Sequence, residues 1–349
     1  MPSPPSNREP GRARRLAWGI IRGAVGIGLL VYLAKSGVID LQTLKQLLSS
    51  WPISAAAVAL MGVDIVMMSL RLSCLLDVHG LHLPLGKSVQ LTCVSFLFTT
   101  FLPGSSGGVL AKLFYATKDN EGLRAEISAV VIFDRVVGLF SLLLLSLLFV
   151  PVFPQLIWSV PALRVLTLIV VLLAVGMLTG VGVILLNESW AHRLLRKLLD
   201  WLPWKDLLHR IVDAIAIYRM RMGALFAALG ASLFANFSVA CVAGLAAFAL
   251  GHSAFSLRVL LVAPMGYIAN ALPLTPGGLG VGEEAFNSLF HLTGIGGGAD
   301  ALLCWRIWSL PVSIAGLVFY LRGLGRSVHR READSASGVV EPEAPYHPQ

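Results

Sequence analysis

Charge is what this sequence has least of. Asp, Glu, Lys and Arg make up 13% of the 349 residues and hydrophobic types 56%, whereas a soluble domain carries about 25% and roughly 45–50%. That balance excludes a soluble protein with a large core. Cysteine is also scarce: Cys74, Cys93, Cys241 and Cys304 show no paired spacing of the kind zinc or redox motifs need. His79 and His82 stand beside Asp77 and read as interfacial polar residues rather than ligands. The GGLGVG run at 277–282 lacks the Lys-Ser/Thr of a P-loop and its strand context, so no ATPase is expected. No cofactor, metal or nucleic-acid partner is expected either.

What the chain does have is long apolar blocks. Residues 16–34, 51–70, 126–150, 163–186, 223–250 and 302–321 are each long enough for the ~20 residues of helix that cross ~30 Å of hydrocarbon. Two shorter stretches, 88–102 and 257–272, run directly into Pro/Gly breaks. Their length suits one arm of a re-entrant hairpin. The expected fold is an all-α integral membrane protein with about six full transmembrane helices plus two re-entrant helix hairpins, countable as seven or eight spans. The basic lead Arg8, Arg12, Arg14 and Arg15 resembles a signal peptide, but the apolar run that follows is too long and lacks a small-residue cleavage pattern, so a retained anchor is expected.

The two breaks share a form. LPGSSGG at Leu102 to Gly108 and LPLTPGG at Leu272 to Gly278 both read Leu-Pro, three variable residues, Gly-Gly. Corresponding Gly/Pro-interrupted segments in two halves of a membrane protein point to a substrate site built from broken helices. Proline removes a backbone donor and glycine admits conformations closed to other residues, which leaves backbone polar groups to be satisfied by protein, water or ligand. A helix that starts after such a break directs partial positive charge outward, suited to a phosphate or carboxylate. A purely structural role, letting short helices turn and pack, is the alternative.

Orientation follows from Lys and Arg. With a cytoplasmic N-terminus, segments 1–15, 71–125, 187–222 and 322–349 hold 4, 5, 7 and 4 basic residues, and the opposite segments 35–50, 151–162 and 251–300 hold 2, 0 and 1. This is the positive-inside bias, with both termini in the cytoplasm. The hairpin at Pro103 then enters from inside and the one at Pro273 from outside. Span, hairpin, span recurs over 51–150 and 223–321 in opposite directions, an inverted repeat.

Charges inside the spans form a second constellation: Asp64, Asp134, Arg135 and Arg306. An ionised group at the bilayer centre costs roughly 2.5–3.5 kcal/mol on the lenient insertion scale, so each is expected to meet a partner or a wet cavity. Arg135 follows Pro103 by 32 residues and Arg306 follows Pro273 by 33, which sets one arginine beside each hairpin. Two such forks suit phosphate oxygens. The alternative is an internal ion pair of Asp64 or Asp134 with an arginine; Asp134 and Arg135, being neighbours, do not face each other, so partners on other helices are expected.

Candidate substrate-binding residues are therefore Pro103, Gly107 and Gly108 in the first break, Asp134 and Arg135 after it, Asn270 before the second break, and Pro273, Pro276, Gly277, Gly278, Gly280, Glu283 and Arg306 from that break onward. Lys112 occupies the part of the first hairpin related to Glu283 and Glu284 in the second; these are either cavity groups or ordinary interfacial charges. Asn236 lines the cavity or joins helices. Leu194, Leu195, Leu198 and Leu199, interleaved with Arg193, Arg196 and Lys197, describe an amphipathic helix in the cytoplasmic loop 187–222, on an anionic leaflet or packed on the bundle. The tail at 322–349 reads as disordered.

PLTPGGLGVGEEAF at Pro273 to Phe286, PGSSGGVLAKLFYATK at Pro103 to Lys118, VVIFDRVVGLFSLLLL at Val130 to Leu145 and the terminal span with Arg306, Pro311 and Gly316 together resemble the membrane domain of lysylphosphatidylglycerol synthetases, the flippase-like integral membrane proteins. The resemblance covers roughly 15–325. Its specific element is Pro276, Gly277, Gly278, Gly280 and Glu283; Asp134-Arg135 is less specific. It implies translocation of aminoacyl-phosphatidylglycerol, or of another lipid or lipid-linked precursor, between leaflets of the cytoplasmic membrane. In two-part family members a soluble synthase follows the membrane region. Here a short tail follows Leu321, so aminoacyl transfer is not expected.

The leading expectation is a non-enzymatic lipid flippase whose partners are membrane lipids with an anionic head group. One alternative is an intramembrane lipid-modifying transferase, for which Glu283, Glu284 and Asp134 are the acid/base candidates. Another is a scaffold for a separate lipid synthase.

Overall fold

The computed structural model describes residues 46–47, 49–101, 106–117, 124–186, 212–213, 215–251, 255–271 and 280–322. The first apolar block at 16–34, the break residues Pro103, Pro273, Pro276, Gly277 and Gly278, most of the basic loop at 187–211 and the tail beyond Arg322 lie outside them. Among the described residues every regular element is helical. Five helices among the described residues are long and apolar enough to cross a membrane, and they match the five remaining blocks of the sequence.

Helix α1 (Trp51–Val78) opens with Pro52 in its first turn and runs for 28 residues, about 42 Å at ~1.5 Å per residue. The apolar block ends at Leu70, but the helix continues for two more turns. Arg71 is therefore a residue of a spanning helix, not of the basic loop to which charge counting assigns it. Helices α2 (Leu85–Phe101) and α3 (Ser106–Thr117) flank the first break, and α4 (Arg124–Phe149) is the next long helix. After the short α5 (Pro154–Ser159) comes α6 (Pro161–Leu186), whose outer face exposes Val165, Leu168, Leu172 and Leu178. A face so apolar and so open is suited to acyl chains.

The second half repeats the order. Helix α7 (Met222–Ala249) is long, α8 (Arg258–Asn270) and α9 (Val281–Leu292) flank the second break, and α10 (Gly298–Trp308) with α11 (Leu310–Arg322) makes the last span. The interruption at Ser309 has a local cause. Pro311 has no N–H to donate to the carbonyl one turn back, so the ladder stops and restarts.

Packing follows a two-fold exchange. Each short-helix pair packs within itself, α2 on α3 and α8 on α9. Each first arm also packs across the molecule on the last span of the other half: α2 against α11, and α8 against α4. At the centre α1 and α7 lie along each other. Helix α7 turns Ala228, Ser232, Ala235, Ala240, Ala243 and Ala247 inward, and such small residues let backbones approach where no hydrophobic force between helices operates.

Glycine makes the close contacts inside the pairs. A Cβ on Gly108 would collide with Thr99 Oγ1 and lie 2.7 Å from the Ser95 carbonyl; one on Gly282 would collide with Asn270 Oδ1. Ser95 completes the first contact by donating to the Gly108 carbonyl at 2.8 Å. Each pair therefore closes glycine against the polar side chains of its first arm.

Candidate functional site

Between the halves lies a cavity of about 230 Å³, the room of roughly eight waters at ~30 Å³ each. Both short-helix pairs contribute to its wall. Thr92, Ser95 and Thr99 come from α2 and Lys112 from α3; Tyr267 and Asn270 come from α8, with Ala271 just beyond. The long helices add Asp64 and Arg71, Asp134 and Arg135, Asn236, and Arg306.

The cations and carboxylates are paired across helices. Arg71 Nε donates to Asp134 Oδ1 at 2.6 Å, and Lys112 Nζ donates to Asp134 Oδ2 at 3.1 Å. All three residues are buried. Each oxygen of one carboxylate thus takes a different cation, an arrangement that offsets the desolvation of ions far better than a single contact does. From Arg71 the chain of hydrogen bonds continues: Nη1 donates to Ser232 Oγ at 2.8 Å, Ser232 shares a 2.6 Å hydrogen bond with Ser141, and Asn236 Nδ2 donates to Ser141 Oγ at 2.6 Å. Four helices, α1, α3, α4 and α7, are joined by it. Gly138 leaves the space in which the guanidinium lies, since a Cβ there would sit 3.0 Å from Arg71 Nη1.

The second half carries a matching pair of reversed sign. Arg306 Nη2 lies 3.0 Å from Glu283 Oε1 and 3.5 Å from Asn270 Oδ1. The other oxygen of Glu283 accepts the Gly280 N–H at 2.7 Å, at the start of α9, the reach-back of a capping carboxylate. In each half, then, the second short helix is tied to the following span by an ion pair: Lys112 to Asp134 in the first, Glu283 to Arg306 in the second.

Of the candidate residues, the structure brings Asp134, Arg135, Asn270 and Arg306 to the cavity wall, with Glu283 held behind Arg306. Gly107 and Gly108 are buried in the first pair, and Gly280 opens α9. Lys112 is only 6% exposed, which removes it from the interfacial charges and places it in the cluster. Asp134 finds its partners on other helices, as its position beside Arg135 required. Glu284 turns away to accept from Ser288 at 2.9 Å on an exposed face, and His82 meets Asp77 at 3.0 Å, likewise in the open. Arg71 is the residue that sequence reasoning missed. Its signal was available: seven residues, two helical turns, separate it from Asp64, so both fall on one face of a continued helix.

A bundle of lipid-length apolar helices around a buried charged cavity defines a multi-pass α-helical membrane protein. More narrowly, the chain belongs to the family of the lysylphosphatidylglycerol synthase TM region, whose model matches residues 19–316. No curated protein and no solved structure matches it.

Proposed function

We propose that this protein is a non-enzymatic lipid translocator of the cytoplasmic membrane, which moves a lipid between leaflets by holding its anionic phosphate. Aminoacyl-phosphatidylglycerol and lipid-linked precursors are the candidate guests. The observation that carries the reading is a charged cavity whose wall draws on both short-helix pairs. In this reading the pairs are re-entrant hairpins of an inverted repeat that enter from opposite faces, with both termini cytoplasmic. Rocking of the two halves exposes the cavity alternately. Arg135 and Arg306 neutralise the phosphate while the acyl chains stay along apolar faces such as that of α6. A volume of about 230 Å³ has the scale of a head group, not of a whole lipid.

Family membership supports a lipid as the guest, because the family is described by a lipid synthase. Two of the three carboxylates that transfer chemistry would draw on, Asp134 and Glu283, are engaged in ion pairs, and a general acid or base must be available to a reacting group. A separately encoded synthase is a natural partner.

Reconstitution tests the reading. Liposomes that contain the purified chain and a trace of fluorescent phosphatidylglycerol or polyprenyl phosphate are expected to exchange the probe between leaflets faster than empty liposomes. Exchange no faster than in empty liposomes for both probes would sink the proposal. Mass spectrometry of the same lipids separates the enzyme reading: a new chemical species, not a change of sidedness, is its signature.

A further inference from the structure

Asp64 is the one carboxylate on the cavity wall that has no hydrogen bond or ion pair among the described residues, although only 5% of it is exposed. Asp134 is bound by two cations, and Glu283 pairs with Arg306 and accepts a backbone N–H. A buried carboxylate left unpaired is expensive when ionised, and a wall built to receive an anion is an unfavourable place to retain one. The cations around it are already committed: Arg71 and Lys112 bind Asp134, not Asp64.

Resting on the translocator reading above, we propose that Asp64 binds a proton when an anionic lipid head group enters the cavity and releases it when the head group leaves, so that lipid and proton move together. The reaction is a protonation of one Asp64 carboxylate oxygen by solvent, with no other bond made or broken. The physical basis is linkage. With Asp64 ionised the guest meets a like charge inside a low-dielectric wall; with Asp64 neutral the same wall presents one more unit of net positive charge to it. Whatever factor the proton adds to anion affinity, the anion must add to proton affinity.

The surrounding groups permit this assignment. From its own helix Asp64 shares the cavity with Arg71; α3 supplies Lys112, α4 supplies Asp134 and Arg135, α8 supplies Tyr267, and α10 supplies Arg306. Helix α7, which packs most extensively on α1, contains no ionisable residue except Cys241. The charged residues of α2 and α11 are Lys87 and Arg322, at helix ends and off the cavity wall. Tyr267 is already occupied, its hydroxyl donating to the Val239 carbonyl at 3.1 Å. No fixed cation therefore forms an ion pair with Asp64 among the described residues, and the proton takes that part.

The experiment uses the full chain in phosphatidylcholine liposomes with fluorescent phosphatidylglycerol as probe, with exchange rates measured from pH 5.5 to 8.5. Wild-type exchange is expected to fall with rising pH, approaching about tenfold per unit for one coupled proton, while D64N holds the acid-side rate throughout. Equal pH dependence in wild type and D64N overturns the proposal and leaves the translocator reading standing; background exchange at every pH overturns both. Should D64N fail to fold, wild type in weakly buffered detergent is titrated with short-chain phosphatidylglycerol and a pH dye. Proton uptake on binding is expected, and binding without uptake overturns the proposal.

Discussion

Arg71 and Asp134 meet at 2.6 Å, 63 residues apart, and so fasten α1 to α4 across the first short-helix pair. Lys112, from within that pair, takes the other carboxylate oxygen. One aspartate thus sets the position of three helices around the cavity.

Asp134→Asn is accordingly the most destabilising conservative change expected here. It removes the carboxylate that both Arg71 and Lys112 bind, a loss of about 3–5 kcal/mol for breaking a buried pair. The midpoint of thermal unfolding in detergent should drop by many degrees. Adding Lys112→Met to the same chain should recover part of the drop, because one of the stranded charges is removed.

Glu283 performs two tasks that substitutions can separate. Glu283→Gln retains an oxygen to accept the Gly280 N–H but loses the charge facing Arg306; Glu283→Ala loses both. Stability should fall in the order wild type, Gln, Ala, with the capping step worth about 1 kcal/mol. Equal midpoints for the two variants would show that the cap contributes nothing.

Gly108 and Gly62 make a matched comparison. An added methyl on Gly108 meets Thr99 and Ser95, whereas one on Gly62 meets nothing within 4 Å. Gly108→Ala should destabilise by about 1–3 kcal/mol through overpacking. Gly62→Ala, in the middle of α1, should be neutral or stabilising by up to ~1 kcal/mol. Thermal midpoints of the two single variants test the contrast.

Arg135→Ala and Arg306→Ala address the proposed function directly. Each should reduce probe exchange by more than it reduces the yield of folded protein, since the guanidinium groups are taken to hold the head group. Exchange at the wild-type rate in both variants removes the arginine-pocket mechanism. The Arg306 variant should also lose stability, because Glu283 is left without its cation.

Much of this arrangement was legible in the sequence, and the failures have a common origin. The long spans were readable because a membrane imposes a length and a composition on each helix separately. The two halves were readable because proline and glycine mark their breaks. Asp134, Arg306 and Asn270 stood out as polar residues in apolar surroundings. Arg71 did not, because it lies just past the last run of apolar residues, where a basic residue also suits a cytoplasmic loop. Lys112 was ambiguous for the same reason.

The sequence by itself determined the class of fold, the helix order and the near-repeat of span, break and span, since these depend on local hydrophobicity and backbone chemistry. Only the tertiary structure decided which charges meet. Lys112 with Asp134 and Glu283 with Arg306 are equivalent ties of opposite polarity, a relation that one-dimensional matching of like residues hides, because it aligns Arg135 with Arg306 instead. Pairing depends on distances across helices, and the packing of small residues between α1 and α7 sets those distances together with the rotation of every charged face.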